Sequence, residues 1–288
     1  MFSQYFGHYL LNRGLITREQ LADALEFQKS VHVKFGVVAV DEGFMTTTQV
    51  EEVHEKQKQM DKRFGEIAVE LGYLTEEQVE ALISLQKQSH LYLAQALVDR
   101  GYMTIDEFGS ALNDFKSENS LSDDQFEQIR NGNVEALIEN ILSKSPEFHG
   151  KYNSYLSLFT KNIIRFIDDQ VYLELASVND IVDSNWYIYQ EITGKAPLKT
   201  GMSMNEEALL YLASVYAEEQ LFEVDALAKD SVSEFLNLHN GIYLVNMSNW
   251  GTDLKMNPQQ VLEYTPISKT PLVVNVNMSK GTFQLILA

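Results

Sequence analysis

The sequence predicts an α+β protein in which an all-α repeat domain precedes a mixed domain. Two observations predict this fold class. The first 116 residues repeat a helical pattern every 29 residues, whereas the rest of the chain combines amphipathic helices with alternating, strand-like segments. A chain of 288 residues also has the length of about two domains.

Glycine and threonine define the repeat, because each recurs at 29-residue intervals and each threonine follows its glycine by three positions: Gly14 and Thr17, Gly43 and Thr46, Gly72 and Thr75, Gly101 and Thr104. A short helix is expected to end at each glycine, and each threonine is expected to cap the next helix. Gln or Glu follows three residues after each threonine and completes a capping box. We therefore predict four helical hairpins over residues 1–116, each too small to bury its apolar face alone.

Residues 117–147 are predicted to form a linker with connecting helices. The segment 117–124, SENSLSDD, is polar and has no hydrophobic period, which is typical of a connection between domains. Ser122 and Gln125 have the spacing of a capping box for a short helix within this region.

Residues 148–288 are predicted to form the α+β domain, with an antiparallel-rich sheet packed by helices. We assign Ser203 and Glu206 as the capping box of its second helix. Hydrophobic periodicity predicts helices at 152–166, 204–219 and 224–240, and strands at 171–178, 186–192, 241–247, 272–278 and 282–287.

The composition excludes several classes of protein. Asp and Glu number 41 against 22 Lys and Arg, so the net charge is −19 and we expect no nucleic-acid partner. The chain has no cysteine, which excludes thiol nucleophiles and cysteine zinc sites and is typical of a reducing compartment. No apolar run approaches the roughly 18 residues of a membrane span. Residues 1–14 contain no basic segment followed by an apolar stretch, so we expect no signal peptide. We expect a cytoplasmic protein without membrane insertion.

Common catalytic signatures are missing from the sequence. It contains no G-x-G-x-x-G, no phosphate-binding G-x4-G-K and no H-E-x-x-H. The segment that begins at Gly201, GMSMN, lacks the final glycine of a nucleophile elbow. The six histidines include no pair four residues apart, so each is expected to be a surface or partly packed residue. We therefore predict no metal site and no intrinsic cofactor.

The segment 230–241, DSVSEFLNLHNG, is the strongest candidate for a functional site. On a helix, Asp230, Glu234 and Asn237 fall at i, i+4 and i+7 and form one polar stripe. A solvated helix face without a function carries the same residue types, so the stripe alone leaves both interpretations open. The apolar residues on the other side of this helix are expected to pack on a sheet: Val224, Ala228, Phe235 and Leu238.

Residues 148–288 resemble the CheX/CheC/FliY family of chemotaxis phosphatases, and CheX most of all. The resemblance rests on the segments NIIRFIDDQVYLEL, LASVYAEE and DSVSEFLNLHNGIYLVNMSN. The family pattern is an acidic residue or Ser, three residues, Glu, two residues and Asn, which Asp230, Glu234 and Asn237 match position by position. The motif occurs once, as in CheX-like members, and Pro258 lies near the position of a family proline.

The resemblance implies that the substrate is the aspartyl phosphate of a CheY-type response regulator. Asn237 would position the attacking water, Glu234 would pair with a lysine of the regulator, and Asp230 would contact the partner or shape the helix face. The regulator would supply the magnesium ion. The resemblance also implies a homodimer through this domain, for which the strands within 272–287 are expected to provide a sheet edge.

Residues 1–116 resemble the N-terminal domain of type II secretion and pilus ATPases, including the MshEN module that binds cyclic di-GMP. The third copy, RFGEIAVELGYLTEEQVEALISLQ, matches that module's motif best. The first motif position is cationic in copies two and three but Tyr in copies one and four. By resemblance, a nucleotide site would therefore use residues of copies two and three: Lys34, Phe35, Gly36, Arg63, Phe64 and Gly65.

Two classes of function stay open at this point. The preferred interpretation is a phosphatase of a phosphorylated response regulator, with the repeat domain regulating or docking it. The alternative is a non-enzymatic signalling protein that binds a regulator or senses cyclic di-GMP. Exposure of Glu234 and Asn237 favours the enzyme, whereas a cationic groove between Lys34 and Arg63 favours the sensor.

Overall fold

The computed structural model describes residues 2–86, 89–145, 147–148, 150–176, 186–263 and 271–288. These residues form two compact units, which meet in sequence between Asn133 and Val134. The predicted combination of an all-α first part with an α+β second part is confirmed. Among the residues that the structure describes, no helix combines the length and hydropathy that a membrane span requires.

The first unit is helical. Its helices are α1 (Phe2–Asn12), α2 (Arg18–Phe27), α3 (Phe35–Asp41), α4 (Thr47–Gln57), α5 (Phe64–Glu70), α6 (Glu76–Leu85), α7 (Ser89–Asp99), α8 (Ile105–Glu118) and α9 (Asp123–Arg130). Consecutive pairs from α1 to α8 correspond to the four predicted hairpins.

The turn inside each hairpin follows the predicted chemistry. After α5, Gly72 adopts a φ of 73°, which a residue with a side chain rarely does. At the start of α6, the backbone N–H of Gln78 donates to Oγ1 of Thr75 at 3.2 Å, and the Thr75 N–H donates back to Oε1 of Gln78 at 2.8 Å. The same reciprocal capping box begins α2, α4, α8 and α9, so these predicted caps are confirmed.

Helices from different copies bury one another's apolar faces. Helix α1 packs against α2, α7 and α8, and α3 packs against α4 to α8. The ring of Phe6, on α1, is fully buried and lies 5.2 Å from that of Phe108 and 5.7 Å from that of Phe115, both on α8. The core of this unit is thus assembled between copies, as expected of units too small to fold alone.

A buried ion-pair cluster attaches α9 to the repeat. Nη2 of Arg130, at the end of α9, lies 2.7 Å from Oδ2 of Asp41 and 3.1 Å from Oε1 of Glu42. Nε2 of the buried His90 lies 3.0 Å from the same Asp41 oxygen. Removing one partner from a buried pair leaves an uncompensated charge, so this cluster fixes where α9 packs.

The second unit is α+β. Its helices are α10 (Val134–Ser143), α11 (Asn153–Phe166), α12 (Glu206–Tyr216) and α13 (Ala226–Asn249). Its strands are β1 (Tyr172–Ala176), β2 (Trp186–Gly194), β3 (Leu198–Met204), β4 (Leu254–Met256), β5 (Gln260–Leu262), β6 (Leu272–Asn277) and β7 (Thr282–Leu287).

These strands form one antiparallel sheet in the order β1-β6-β7-β3-β2-β4, with β5 also paired to β2. In β2, Ile188, Gln190 and Ile192 alternate with exposed or half-buried residues and are all buried. They therefore lie on the face of the sheet that the helices cover.

The long helix α13 packs against the sheet and the other helices of this unit. It contacts β2, β4, β5, α11 and α12. Phe235 is fully buried, with its ring 6.0 Å from that of Phe159 on α11 and 5.8 Å from that of Tyr216 on α12. Burial was predicted correctly for Phe235 and Ala228, whereas Val224 precedes the helix and Leu238 is half-buried.

The predicted strand at 241–247 is wrong, because α13 continues through this segment to Asn249. Its sequence, GIYLVNM, is rich in residues that favour strands, and Gly241 suggested a helix end. Tertiary packing decides otherwise, because Tyr243 is buried with its ring 5.0 Å from that of Tyr155. The helix ends instead before Gly251, which has a φ of 80°.

The predicted start of α12 is also wrong. Ser203 lies inside β3, where it pairs with Gln284, so it cannot cap a helix. The cap is Asn205, whose Oδ1 accepts from the Ala208 N–H at 3.0 Å. Strand β3, which covers the predicted first residue of this helix, and the short strands β4 and β5 were not predicted.

The prediction that 272–287 supplies a sheet edge is wrong. Strand β6 lies between β1 and β7, and β7 lies between β6 and β3, so both strands are paired on their two sides. Burial of both strands explains the placement, since Val274, Leu285 and Leu287 are fully buried. The end of the predicted strand 171–178 lies outside the described residues.

Gly36 offers a test of the repeat packing. A Cβ on Gly36 would lie 2.7 Å from Cγ1 of Val50, whose β-branched side chain is stiff on a helix. We expect Gly36→Ala to lower the stability of this unit by about 1–3 kcal/mol through overpacking, measured by urea unfolding.

Gly109→Ala is the matched control, because a Cβ at that helical position meets no described atom within 4 Å apart from its chain neighbours and the backbone of its own helix. It should raise stability by about 0.5–1 kcal/mol through the lower flexibility of the unfolded chain. Equal effects of the two substitutions would contradict the close packing of α3 on α4.

Candidate functional site

Glu234 and Asn237 lie one turn apart on the outer face of α13, as the sequence predicts. Glu234 is exposed and Asn237 is half-buried. Nδ2 of Asn237 lies 3.3 and 3.5 Å from the two carboxylate oxygens of Glu234. The two side chains therefore form one small polar surface with the carboxylate outermost.

Asn237 is less exposed than expected, because its side-chain oxygen is turned towards β2 and accepts a hydrogen bond from a residue of that strand. Nε2 of Gln190, in the middle of β2, donates to Oδ1 of Asn237 at 3.0 Å. The same Nε2 donates to the backbone carbonyl of Asn257 at 2.9 Å. The oxygen end of the Asn237 amide therefore faces the sheet, and its Nδ2 faces outward.

The contact between Asn237 and Gln190 continues into a buried polar network. Oε1 of Gln190 accepts from Nδ2 of Asn240 at 2.8 Å, and that Nδ2 also donates to Oγ1 of Thr200 at 2.9 Å. The hydroxyl of Tyr155 donates to Oδ1 of Asn240 at 2.7 Å. Gln190, Asn240, Thr200 and Tyr155 are all buried, and each amide end has a partner.

Burial fixes the protonation of two groups next to this network. Desolvation raises the pKa of the Tyr155 phenol, so its hydroxyl stays a donor. Desolvation lowers the pKa of His239 to about 3, so its ring is neutral. His239 Nδ1 lies 3.0 Å from Nδ2 of Asn162, while its buried Nε2 has no hydrogen-bond partner among the described residues. His239 is thus a core residue and not the partly packed one expected.

The loop between β4 and β5 forms one rim of the surface. Nε2 of Gln259 lies 3.5 Å from Oε2 of Glu234. The Asn257 N–H donates to the Glu191 carbonyl at 2.8 Å, which ties this loop to β2. Pro258, which the sequence analysis relates to a family proline, is exposed between these two residues.

Asp230 and its neighbours form the other end of the stripe. Asp230 is exposed one turn before Glu234, and the Lys229 ammonium lies 4.0 Å from the centre of the Trp186 ring. Burial and the negative charge of Glu234 raise the pKa of Tyr216. Asp230 and Glu234 thus place two carboxylates on the exposed face of this half of α13.

This arrangement can bind a basic side chain of a partner and position a water molecule. The exposed Glu234 carboxylate is an acceptor for a lysine or arginine of a partner, and the outward Asn237 N–H groups can donate to water or to a phosphoryl oxygen. Within the described ranges, no group of three or more His, Asp or Glu side chains is arranged to hold a metal ion.

The six residues assigned to a nucleotide site lie at the starts of α3 and α5. Lys34 and Arg63 are exposed and precede these helices, and the rings of Phe35 and Phe64 are 5.6 Å apart. Nζ of Lys34 pairs with Oδ1 of Asp99 at 2.7 Å.

Helix packing accounts for the two glycines of this set. A Cβ on Gly65 would lie 2.9 Å from Cγ1 of Val79, and one on Gly36 would lie 2.7 Å from Cγ1 of Val50. A cavity beside Gly65 is lined by Glu66, Glu70, Glu76 and Glu80, together with Lys62. Cyclic di-GMP binding stays a prediction from the sequence.

Sequence reasoning missed Gln190, Asn240 and Gln259. A signal for Gln190 exists, since β2 alternates and Gln190 occupies the inward position between Ile188 and Ile192. A polar residue at such a position requires a buried partner. Its partners are distant in sequence, so the pattern alone could not identify them.

Solved structures of chemotaxis proteins are similar to the second half of the chain. CheX from Desulfovibrio desulfuricans is 12% identical, with a TM-score of 0.37, and covers 48% of this chain and 97% of its own. CheX from Vibrio vulnificus is 11% identical, with a TM-score of 0.40, and covers 47% and 98%. A complex of CheX, CheY, beryllium fluoride and magnesium from Borrelia burgdorferi is 16% identical, with a TM-score of 0.40, and covers 46% and 94%.

No family model matches the chain, and no curated protein is significantly similar to it.

The buried neutral His239 predicts a pH dependence of stability. Its pKa falls from 6.5 in the unfolded chain to about 3 in the folded unit, so the unfolded state binds more protons below pH 6.5. Stability contributed by the neutral ring is complete above pH 6.5 and is lost as the pH falls towards 3, by about 1.4 kcal/mol per pH unit.

Urea unfolding between pH 7 and 4, followed by near-ultraviolet circular dichroism, measures this dependence. His239→Gln removes the titrating group but keeps an acceptor for Asn162, so we expect its stability to fall less steeply than that of the wild type. Identical slopes for the two proteins would contradict the buried, neutral state of His239.

Proposed function

We propose that the second unit dephosphorylates the aspartyl phosphate of a CheY-type response regulator. The observation that carries this proposal is the pair of Glu234 and Asn237 on an accessible helix, with the Asn237 amide held in one orientation by Gln190. On a solvated helix face without a function, a side chain does not need a buried residue to fix its orientation. The family resemblance of the Asp230, Glu234 and Asn237 pattern supports the same assignment.

The reaction requires a water in line with the bond that breaks. The water oxygen forms a bond to phosphorus while the bond from phosphorus to the aspartyl oxygen breaks, and the electron pair remains on that carboxylate. Both protons of the water leave with the phosphate that is released. In the proposed complex, the outward Nδ2 of Asn237 donates to this water or to the phosphoryl group and fixes the line of attack. A neutral amide does this without the repulsion that a carboxylate would exert.

Glu234 and Asp230 serve docking in this proposal. Glu234 pairs with a lysine beside the regulator's phosphorylation site, and Asp230 contacts the partner further along the same face. When bound in the regulator's own site, magnesium supplies charge stabilisation to the phosphoryl oxygens. We also propose a cytoplasmic location, a homodimer through the second unit, and a regulatory or docking role for the helical repeats.

Asn237→Ala tests the chemical part of the proposal. It should lower kcat for regulator dephosphorylation by about 10²–10³-fold, as loss of one positioned polar group does elsewhere, while the unit stays folded. Loss of label from the phosphorylated regulator gives the rate. Asn249→Ala, which makes the same change at the exposed end of α13, should retain the wild-type rate.

Full activity of Asn237→Ala would refute the assignment of this site. Unfolding of the variant would also count against it, because Nε2 of Gln190 keeps its hydrogen bond to the Asn257 carbonyl when Asn237 is truncated.

Glu234→Ala tests docking separately. It should weaken binding of a beryllofluoride-loaded regulator, measured by calorimetry, because a charge pair at the interface is lost. The change should be larger at low ionic strength, where charges are screened less. Glu223→Ala removes the same charge from an exposed position outside α13 and should leave affinity unchanged; equal losses for both variants would argue against a specific pair.

A further inference from the structure

The buried contact beneath Asn237 determines which end of its amide faces the partner. A backbone carbonyl can only accept a hydrogen bond, and the Asn257 carbonyl lies 2.9 Å from the Gln190 amide. The end of Gln190 that faces it must therefore be the NH₂ group.

The same NH₂ group then fixes Asn237. Its second hydrogen points to the Asn237 side chain at 3.0 Å, so the Asn237 atom that receives it must be the oxygen. The Nδ2 of Asn237 is left to face Glu234 and solvent. The opposite amide orientation would place two NH₂ groups against each other.

The other end of Gln190 is equally constrained. Its Oε1 accepts from Asn240, whose Oδ1 in turn accepts from the Tyr155 hydroxyl. Gln190 is 1% exposed, so water does not compete for these bonds. A flip of the Gln190 amide would break three hydrogen bonds, to Asn240, Asn237 and the Asn257 carbonyl, and would leave a buried side chain without partners, which is expensive.

We infer that Gln190 is a positioning residue for the dephosphorylation reaction: it holds the Asn237 amide with Nδ2 towards the phosphoryl group. This inference rests on the proposed function. Gln190 does not touch the regulator; it acts through Asn237. Replacing Gln190 leaves Glu234 and the docking surface in place but lets the Asn237 amide rotate. The replacement therefore affects the chemical step and not binding.

Gln190→Met tests the inference, since it keeps the length and volume of the side chain and removes both amide ends. We expect kcat to fall by about 10²-fold, as a misplacement of about 1 Å does. Affinity for the beryllofluoride-loaded regulator should be unchanged. Gln190→Asn should behave in the same way, because it keeps an amide but is one methylene too short to span Asn237 and Asn240. It serves as the test if Gln190→Met does not fold.

Gln284→Met is the matched control. Gln284 lies on β7 of the same sheet, is 2% exposed and donates to Oδ1 of Asn275 at 2.9 Å. The substitution is chemically identical and removes a buried amide of comparable exposure. It should lower stability while retaining the wild-type kcat.

A measurement on the free protein separates this inference from the proposed function. Side-chain ¹⁵N relaxation reports the order of Nδ2 of Asn237, which should approach that of rigid backbone in the wild type and in Gln284→Met and drop in Gln190→Met and Gln190→Asn. If no regulator is dephosphorylated by the wild type, the proposed function fails. Wild-type kcat or an unchanged Asn237 order in the Gln190 variants would overturn the positioning role alone.

Discussion

The candidate site depends on one constraint, which is that a backbone carbonyl can only accept hydrogen bonds. The Asn257 carbonyl sets the orientation of Gln190, and Gln190 sets the orientation of Asn237. The side-chain amides of Gln190, Asn237 and Asn240 then have only one compatible arrangement, because Asn240 and Tyr155 complete the other end of the same network. A solvent-facing amide would otherwise rotate freely. The fold thus converts a flexible side chain into a fixed donor.

The sheet and α13 are both required for this constraint. Antiparallel pairing places Gln190 at an inward position of β2, between two buried isoleucines. The burial of Phe235 and Tyr243 holds α13 over that position through contacts with α11 and α12. With one side of α13 fixed in this way, Glu234 and Asn237 remain on the side that a partner can reach.

The sequence predicts a feature well when the residues that form it are close together in the chain. The capping boxes of the first unit, such as Thr75 with Gln78, and the stripe of Glu234 and Asn237 depend on residues three or four positions apart, so they were found correctly. The strand assigned to 241–247 was wrong because burial of Tyr243 against Tyr155 overrides strand propensity. The Gln190 contact was missed because 47 residues separate it from Asn237.

The central claim is that the outward Nδ2 of Asn237 acts on the phosphoryl group of a regulator. A crystal structure of the second unit bound to a beryllofluoride-loaded regulator tests it most directly. The account predicts Asn237 Nδ2 within about 3 Å of a water or fluoride at the attacking side, with its oxygen still on Gln190. A complex in which the regulator binds another face, or in which the Asn237 amide leaves Gln190 and presents its oxygen, would contradict the account.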